Sequence, residues 1–161
     1  GCIACMHCKK TGTWVFPDAA NGIVERLDTI DAMIVGSPVY YAGPSGQLCA
    51  FLDRLFFCRG DKMQGKLGAA VVSCRRGGAT AAFDRLNKYF TISNMHVVGS
   101  QYWNQVHGFT PDDVRKDEEG LQTMRTLGEN LAWLLKNLRA GREQGIPFPQ
   151  YEERLRTHFI Q

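Results

Sequence analysis

Three short apolar runs constrain this chain more than any other feature: Ala32-Met33-Ile34-Val35, Ala69-Ala70-Val71-Val72 and His96-Val97-Val98. Each is continuous rather than alternating, so the strand it forms must be covered on both faces. Each leads into glycine or serine, as buried parallel strands do. Helical patterns lie between them. Leu48, Phe51, Leu52, Leu55 and Phe56 share one face after Pro44-Ser45, and Ala82, Phe83, Leu86 and Phe90 share another that closes near Asn94. An amphipathic segment carrying Ile23, Val24, Leu27 and Ile30 precedes the first strand. The longest predicted helix opens at Thr110-Pro111-Asp112-Asp113, with Thr110 as cap, proline in first position and acids at the positive end of the dipole. Its stripe runs through Leu121, Met124, Gly128, Leu131, Leu135 and Leu138, and Gly141 is expected to end it. Strands and helices in alternation imply an α/β fold: a doubly wound parallel sheet with helices on both faces, in a single domain over residues 1–161.

Composition narrows the function by exclusion. With 161 residues, 44% of them hydrophobic, the chain has the material for one buried core. A formal net charge of +3 is too mild for a nucleic-acid partner, and no run approaches the ~20 apolar residues of a membrane span. The residues form no Ser/His/Asp or paired-carboxylate constellation, so a hydrolase is disfavoured and no catalytic side chain is assigned. Six cysteines stand at 2, 5, 8, 49, 58 and 74. Three of them crowd into Cys2-Ile3-Ala4-Cys5-Met6-His7-Cys8, a spacing that suits metal or redox chemistry better than a secreted disulfide framework, and the compartment is read as reducing cytoplasm.

In open α/β sheets the ligand crevice lies beyond the carboxyl ends of the strands. The segments that leave the three predicted strands are Gly36-Ser37-Pro38-Val39-Tyr40-Tyr41-Ala42-Gly43-Pro44-Ser45-Gly46, Ser73-Cys74-Arg75-Arg76-Gly77-Gly78, and Gly99 to Gly108. All three combine glycines with aromatic or cationic side chains. That mixture suits a flat, partly anionic ligand, which needs close backbone approach, stacking faces and positive charge.

These motifs resemble the NAD(P)H-dependent FMN reductase group of the flavodoxin-like superfamily. The resemblance rests on Gly36-Ser37-Pro38-Val39-Tyr40-Tyr41, Ser45-Gly46-Gln47-Leu48, Phe51-Leu52-Asp53-Arg54, Gly68 to Gly78 and Ser100-Gln101-Tyr102-Trp103-Asn104. The Cys-x-x-Cys-x-x-Cys opening is similar to the iron–sulfur flavoprotein branch of that group. The resemblance implies FMN as cofactor, held by Ser37, Pro38, Val39, Tyr40, Tyr41 and Gly43 and by Ser73, Cys74, Arg75, Arg76, Gly77 and Gly78. Trp103 and His107 would wall the nicotinamide or acceptor site. It further implies NAD(P)H as co-substrate, a small-molecule acceptor such as a quinone or another flavin, and assembly as a homodimer or homotetramer.

The sequence departs from this pattern twice. A flavodoxin-like domain opens with a strand, a phosphate-binding turn, a helix and a second strand, and here that front portion is expected to be lacking from the given chain. The cysteine run, moreover, is one thiolate short of a four-iron cluster. Trp14 stands about where the fourth ligand would be, so a 4Fe–4S cluster is not expected and a Cys3His zinc site using His7 would be awkward. The alternative function is a metal-binding or iron–sulfur electron carrier working through Cys2, Cys5 and Cys8.

Overall fold

The computed structural model describes residues 1–159. Its centre is β3 (Leu67–Cys74), the most completely buried strand. Alternate side chains of β3 serve two cores. Ala70, Val72 and Cys74 join one apolar cluster, and Leu67 and Ala69 join the other. The first cluster is closed by α2 (Ala19–Arg26), α3 (Gly46–Arg59) and α4 (Ala79–Ile92), the second by the long helix α6 (Glu118–Glu143). Helices therefore cover both faces, as continuous apolar strands require. No helix among the described residues is long and apolar enough to cross a membrane.

β1 (Ala32–Tyr40) runs parallel to β3 in a register from Ala32 opposite Leu67 to Pro38 opposite Ser73. On the other side of β3 two short strands follow one another, β4 (His96–Val97) beside Leu67 and Gly68, and β5 (Gln105–His107) beside Val72 to Cys74. β2 (Gly43–Pro44) turns back antiparallel on the end of β1. The expected strand at 32–35 is thus the first half of a longer one, and that at 69–72 the middle of another. The third is shorter than its apolar run, and β5 went unpredicted because three residues give no periodicity.

The helix expected from Thr110 to Gly141 is two helices. Thr110 caps α5 (Pro111–Val114) through a reciprocal capping box with Asp113, but that helix ends at Val114. Asp117 then adopts a non-helical conformation, and its carboxylate accepts the Gly120 N–H to start α6 afresh. At the far end α6 passes Gly141 and stops at Glu143. Gly145 supplies the left-handed residue and Ile146 N–H closes on the Gly141 carbonyl. A further short helix, α1 (His7–Thr11), lies within the cysteine-rich start.

The outer edge of β1 is nearly bare. It pairs with β2 only at Val39 and Tyr40, and Ile34 on its open face is 61% exposed. Beside the start of β1 a groove of about 760 Å³ runs along α6, lined by Ile30, Ala32, Leu135 and Leu138, with Arg142 paired to Asp31 at 3.1 Å. This groove is at the amino end of the sheet, away from the loops of interest.

Packing across the sheet depends on Gly68, where a Cβ would meet the Phe90 ring at 2.7 Å. Gly68→Ala is expected to lower stability by about 1–3 kcal/mol through overpacking. Gly22→Ala in α2, whose Cβ would meet nothing within 4 Å, should be neutral or stabilise by about 0.5–1 kcal/mol. Urea unfolding of the two variants, compared at constant slope, checks both signs.

Candidate functional site

The first loop is built by one buried serine. Ser37 Oγ accepts the Ser45 N–H at 2.9 Å and donates to the Pro38 carbonyl at 2.8 Å, pinning both ends of the segment between them. Ser45 in turn caps α3 by accepting the Leu48 N–H. Opposition of Val39 to Pro44 and of Tyr40 to Gly43 leaves Tyr41 and Ala42 as a two-residue turn. Both are left-handed, with φ of 49° and 60°, the geometry of a type I′ hairpin that normally selects Asn-Gly. Neither residue is glycine, so each position costs roughly 1–2 kcal/mol. Strain of this kind persists where surrounding structure enforces it, commonly at a binding site. The Tyr41 side chain is fully exposed at the tip.

The second loop packs directly against the first. Gly78 is left-handed (φ 89°), and a Cβ on it would stand 2.8 Å from Ala42 Cα and 3.2 Å from Val39 Cγ1. Only glycine permits this contact. Within the loop Cys74 is buried, and burial pushes its thiol up, opposed by the backbone N–H groups of Arg76 and Ala79. Cys74 therefore shapes the loop from inside. Arg75, Arg76 and Gly77 face solvent, and a side chain on Gly77 would meet open space.

The third segment returns to the same edge. The Gly108 N–H donates to the Cys74 carbonyl at 3.1 Å, and β5 sets His107 opposite Cys74. Two residues that the sequence reading left unassigned hold this segment. Asn104 is 0% exposed. Its side chain is bonded to Ser100 Oγ at 2.7 Å and reaches the Val98 carbonyl, while its own carbonyl takes the Val72 N–H. Asp117 accepts the His107 backbone N–H at 2.6 Å, and the same carboxylate lies 3.8 Å from the imidazole Nδ1. A signal for Asp117 existed, since an acid before the Glu118-Glu119 start is a capping pattern, but the stronger Thr110-Pro111 cap masked it. Trp103 pairs with Tyr102 at 4.9 Å on the loop that Asn104 anchors, level with Val72.

The structure thus brings the Ser37–Gly43 loop against Gly78, Pro38 beside Ser73, and His107 beside Cys74. The cysteine run lies apart from these loops, against the last turn of α3. Cys2 and Cys5 are exposed, whereas Cys8 is buried. Trp14 is buried too, bonded through its backbone to the Asn21 side chain in both directions, with the Arg54 guanidinium 5.7 Å from its ring.

A family model described as NADPH-dependent FMN reductase matches residues 3–110. An iron-sulfur flavoprotein of Methanocaldococcus jannaschii is 34% identical over 143 residues, covering 84% of this chain and 74% of that protein. An iron-sulfur flavoprotein of Archaeoglobus fulgidus is 25% identical, covering 85% of this chain and 76% of its own length. Among solved structures, the Trp repressor binding protein of Bacillus subtilis superposes with a TM-score of 0.55 at 20% identity, over 71% of this chain and 69% of that one. A WrbA-like flavodoxin of Agrobacterium tumefaciens gives 0.50 at 20% identity, over 70% and 74%. The fold is flavodoxin-like.

The names of the two archaeal relatives raise the question of a cluster, which the thiols here do not fit. Four converging thiolates are needed. Among the described residues no three Cys, His, Asp or Glu side chains group as a metal site requires, and Cys8 is turned into the core. The loops at the carboxyl edge fit a flavin better: the close packing of Gly78 on Ala42, the exposed Tyr40 and Tyr41 and the exposed Arg75 and Arg76 are what such a ligand would need.

Ser37→Ala removes both hydrogen bonds of the hydroxyl, including the one that ties the first loop to the cap of α3. Stability should fall by about 1 kcal/mol, and the Ser45 amide should exchange faster with deuterium. Unchanged exchange at Ser45 would show that the loop is held by something else.

Proposed function

The chain belongs to the NADPH-dependent FMN reductase family, and we propose that it is an FMN-dependent NAD(P)H oxidoreductase acting on a small electron acceptor. The observation that carries this reading is the Gly78–Ala42 contact, which joins two loops into one continuous backbone surface at the carboxyl edge of the sheet. In this role the amides of the Ser37–Gly43 and Ser73–Gly78 loops line the polar edge of the flavin, and Tyr40 and Tyr41 offer stacking faces. Arg75 and Arg76 place positive charge where reduction adds negative charge. Bound there, FMN would supply hydride acceptance from NAD(P)H and onward transfer of electrons to a quinone, another flavin or a small electrophile. The protein's own part is orientation and charge. His107, held at its backbone by Asp117, and Trp103 flank the acceptor side.

Several features support the remaining parts of the proposal. Exposed aromatics at Tyr102, Trp103 and Phe109 suit a homodimer or homotetramer closing over the site. Six free cysteines suit a reducing cytoplasm. The bare edge of β1 and the exposed Ile34 suit a further parallel strand, of the kind that would bring a phosphate-binding turn. The electron-carrier reading through Cys2, Cys5 and Cys8 rests on their spacing and on the names of relatives, and the burial of Cys8 favours the flavin enzyme.

The full chain titrated with FMN should quench flavin fluorescence. NADPH or NADH should then bleach the bound flavin, and a quinone should restore its colour. A folded full chain that leaves added FMN unquenched would overturn the proposal. Gly78→Ala should weaken FMN binding about tenfold or more, a loss of about 1.4 kcal/mol. Tyr41→Gly should separate stability from function. Relief of the left-handed strain would raise stability by about 1 kcal/mol, while loss of the aromatic face weakens flavin retention.

A further inference from the structure

The cysteine-rich start and the end of α3 are clamped together by consecutive residues. Lys9 Nζ donates to the Phe57 carbonyl at 2.5 Å and lies 4.6 Å from the Phe57 ring centre. The next residue, Cys58, directs its thiol to the Gly12 carbonyl that ends α1, at 3.3 Å. The Gly12 N–H in turn donates to the Cys8 carbonyl at 2.9 Å, which sets Cys8 one helical turn from the point where the Cys58 thiol docks. Both cysteines are 3% exposed and belong to the same apolar cluster. Two buried thiols on helices joined at Gly12, 50 residues apart in sequence, have no part in the proposed flavin chemistry.

From this geometry we propose that Cys8 and Cys58 are a redox-sensitive dithiol whose oxidation closes a disulfide between α1 and α3. The oxidant is a low-molecular-weight disulfide of the glutathione type. Cys8 gives up its proton and attacks one sulfur of the small disulfide, whose other half leaves as a thiolate and takes that proton. Cys58 then attacks the mixed disulfide at the Cys8 sulfur and releases the second small thiol with its proton. The two protein thiols lose two electrons in total, and the small disulfide gains them.

Access comes from α1 itself. It is a single five-residue helix with left-handed residues on both flanks, Ala4 and Met6 before it and Gly12 after it, and the exchange requires it to lift from α3 as a unit. While it is seated, burial pushes the Cys58 thiol up and keeps it protonated, though Lys9 and Arg59 oppose this. Cys2 and Cys5, although exposed, lie on one short stretch and cannot tie the segment to α3.

The test uses the wild-type full chain and does not read the flavin. The protein is incubated with oxidised glutathione, quenched in acid, alkylated and mapped by peptide mass. The expected result is one Cys8–Cys58 cross-link, reversed by dithiothreitol, with the other four of the six cysteines alkylated. The Cys2→Ser, Cys5→Ser double variant should keep the cross-link, and oxidation should protect the first twelve residues from protease. A cross-link confined to Cys2, Cys5 and Cys8 would overturn the proposal. So would a stable glutathione adduct on Cys8 with Cys58 still free, or six unreacted thiols in native protein that react once it is unfolded.

Discussion

The parallel ladder between β1 and β3 is the constraint from which the rest of this molecule follows. Seven successive register pairs carry the two strands together from Ala32 and Leu67 to Pro38 and Ser73. Both strands therefore deliver their outgoing loops to one edge at the same height. Because β3 is buried on both sides, its residues must be small or apolar throughout, and Gly68 is needed where Phe90 crosses the sheet. Helices on each face are the consequence. The two apolar clusters, one under α2, α3 and α4 and one under α6, lie on opposite faces of β3 and β1.

The candidate site spends part of the stability that this core provides. Tyr41 and Ala42 are held left-handed with no glycine to relieve them, and Gly78 is pressed against Ala42 at a distance no other residue allows. Side chains within the structure keep the loops in place: buried Ser37 between the ends of the first, buried Cys74 inside the second, and buried Asn104 with half-buried Asp117 behind the third. Each is satisfied by backbone groups of its own loop or the next, so the surface offered to a ligand is preorganised backbone with aromatic and cationic side chains around it. For a member of the NADPH-dependent FMN reductase family, that division of labour leaves redox chemistry to the cofactor and orientation to the protein.

Much of this was legible in the sequence, for physical reasons that can be named. Continuous apolar runs gave the strands because a doubly covered strand has no polar face. Ser45 and Thr110 were readable as caps because a hydroxyl just ahead of a helical stripe has a specific backbone partner. The loops that meet at the carboxyl edge of the sheet were readable from glycines, aromatics and arginines at strand exits. What escaped was set by contacts distant in sequence. Asp117 breaks the predicted long helix because its carboxylate serves His107 and Gly120 together. β5 is a strand only because Val72 to Cys74 are beside it. The packing of Cys8 and Cys58 into one cluster spans 50 residues and leaves no local trace.

The central claim is that the two loops joined at Gly78 and Ala42 form one FMN surface. Amide hydrogen exchange followed by mass spectrometry, with and without FMN, tests it most directly. The account predicts slowed exchange in residues 37–45 and 73–78 together, with the carboxyl half of α6 and the α1–α3 contact unchanged. Protection confined to other segments, or to only one of the two loops, would contradict it.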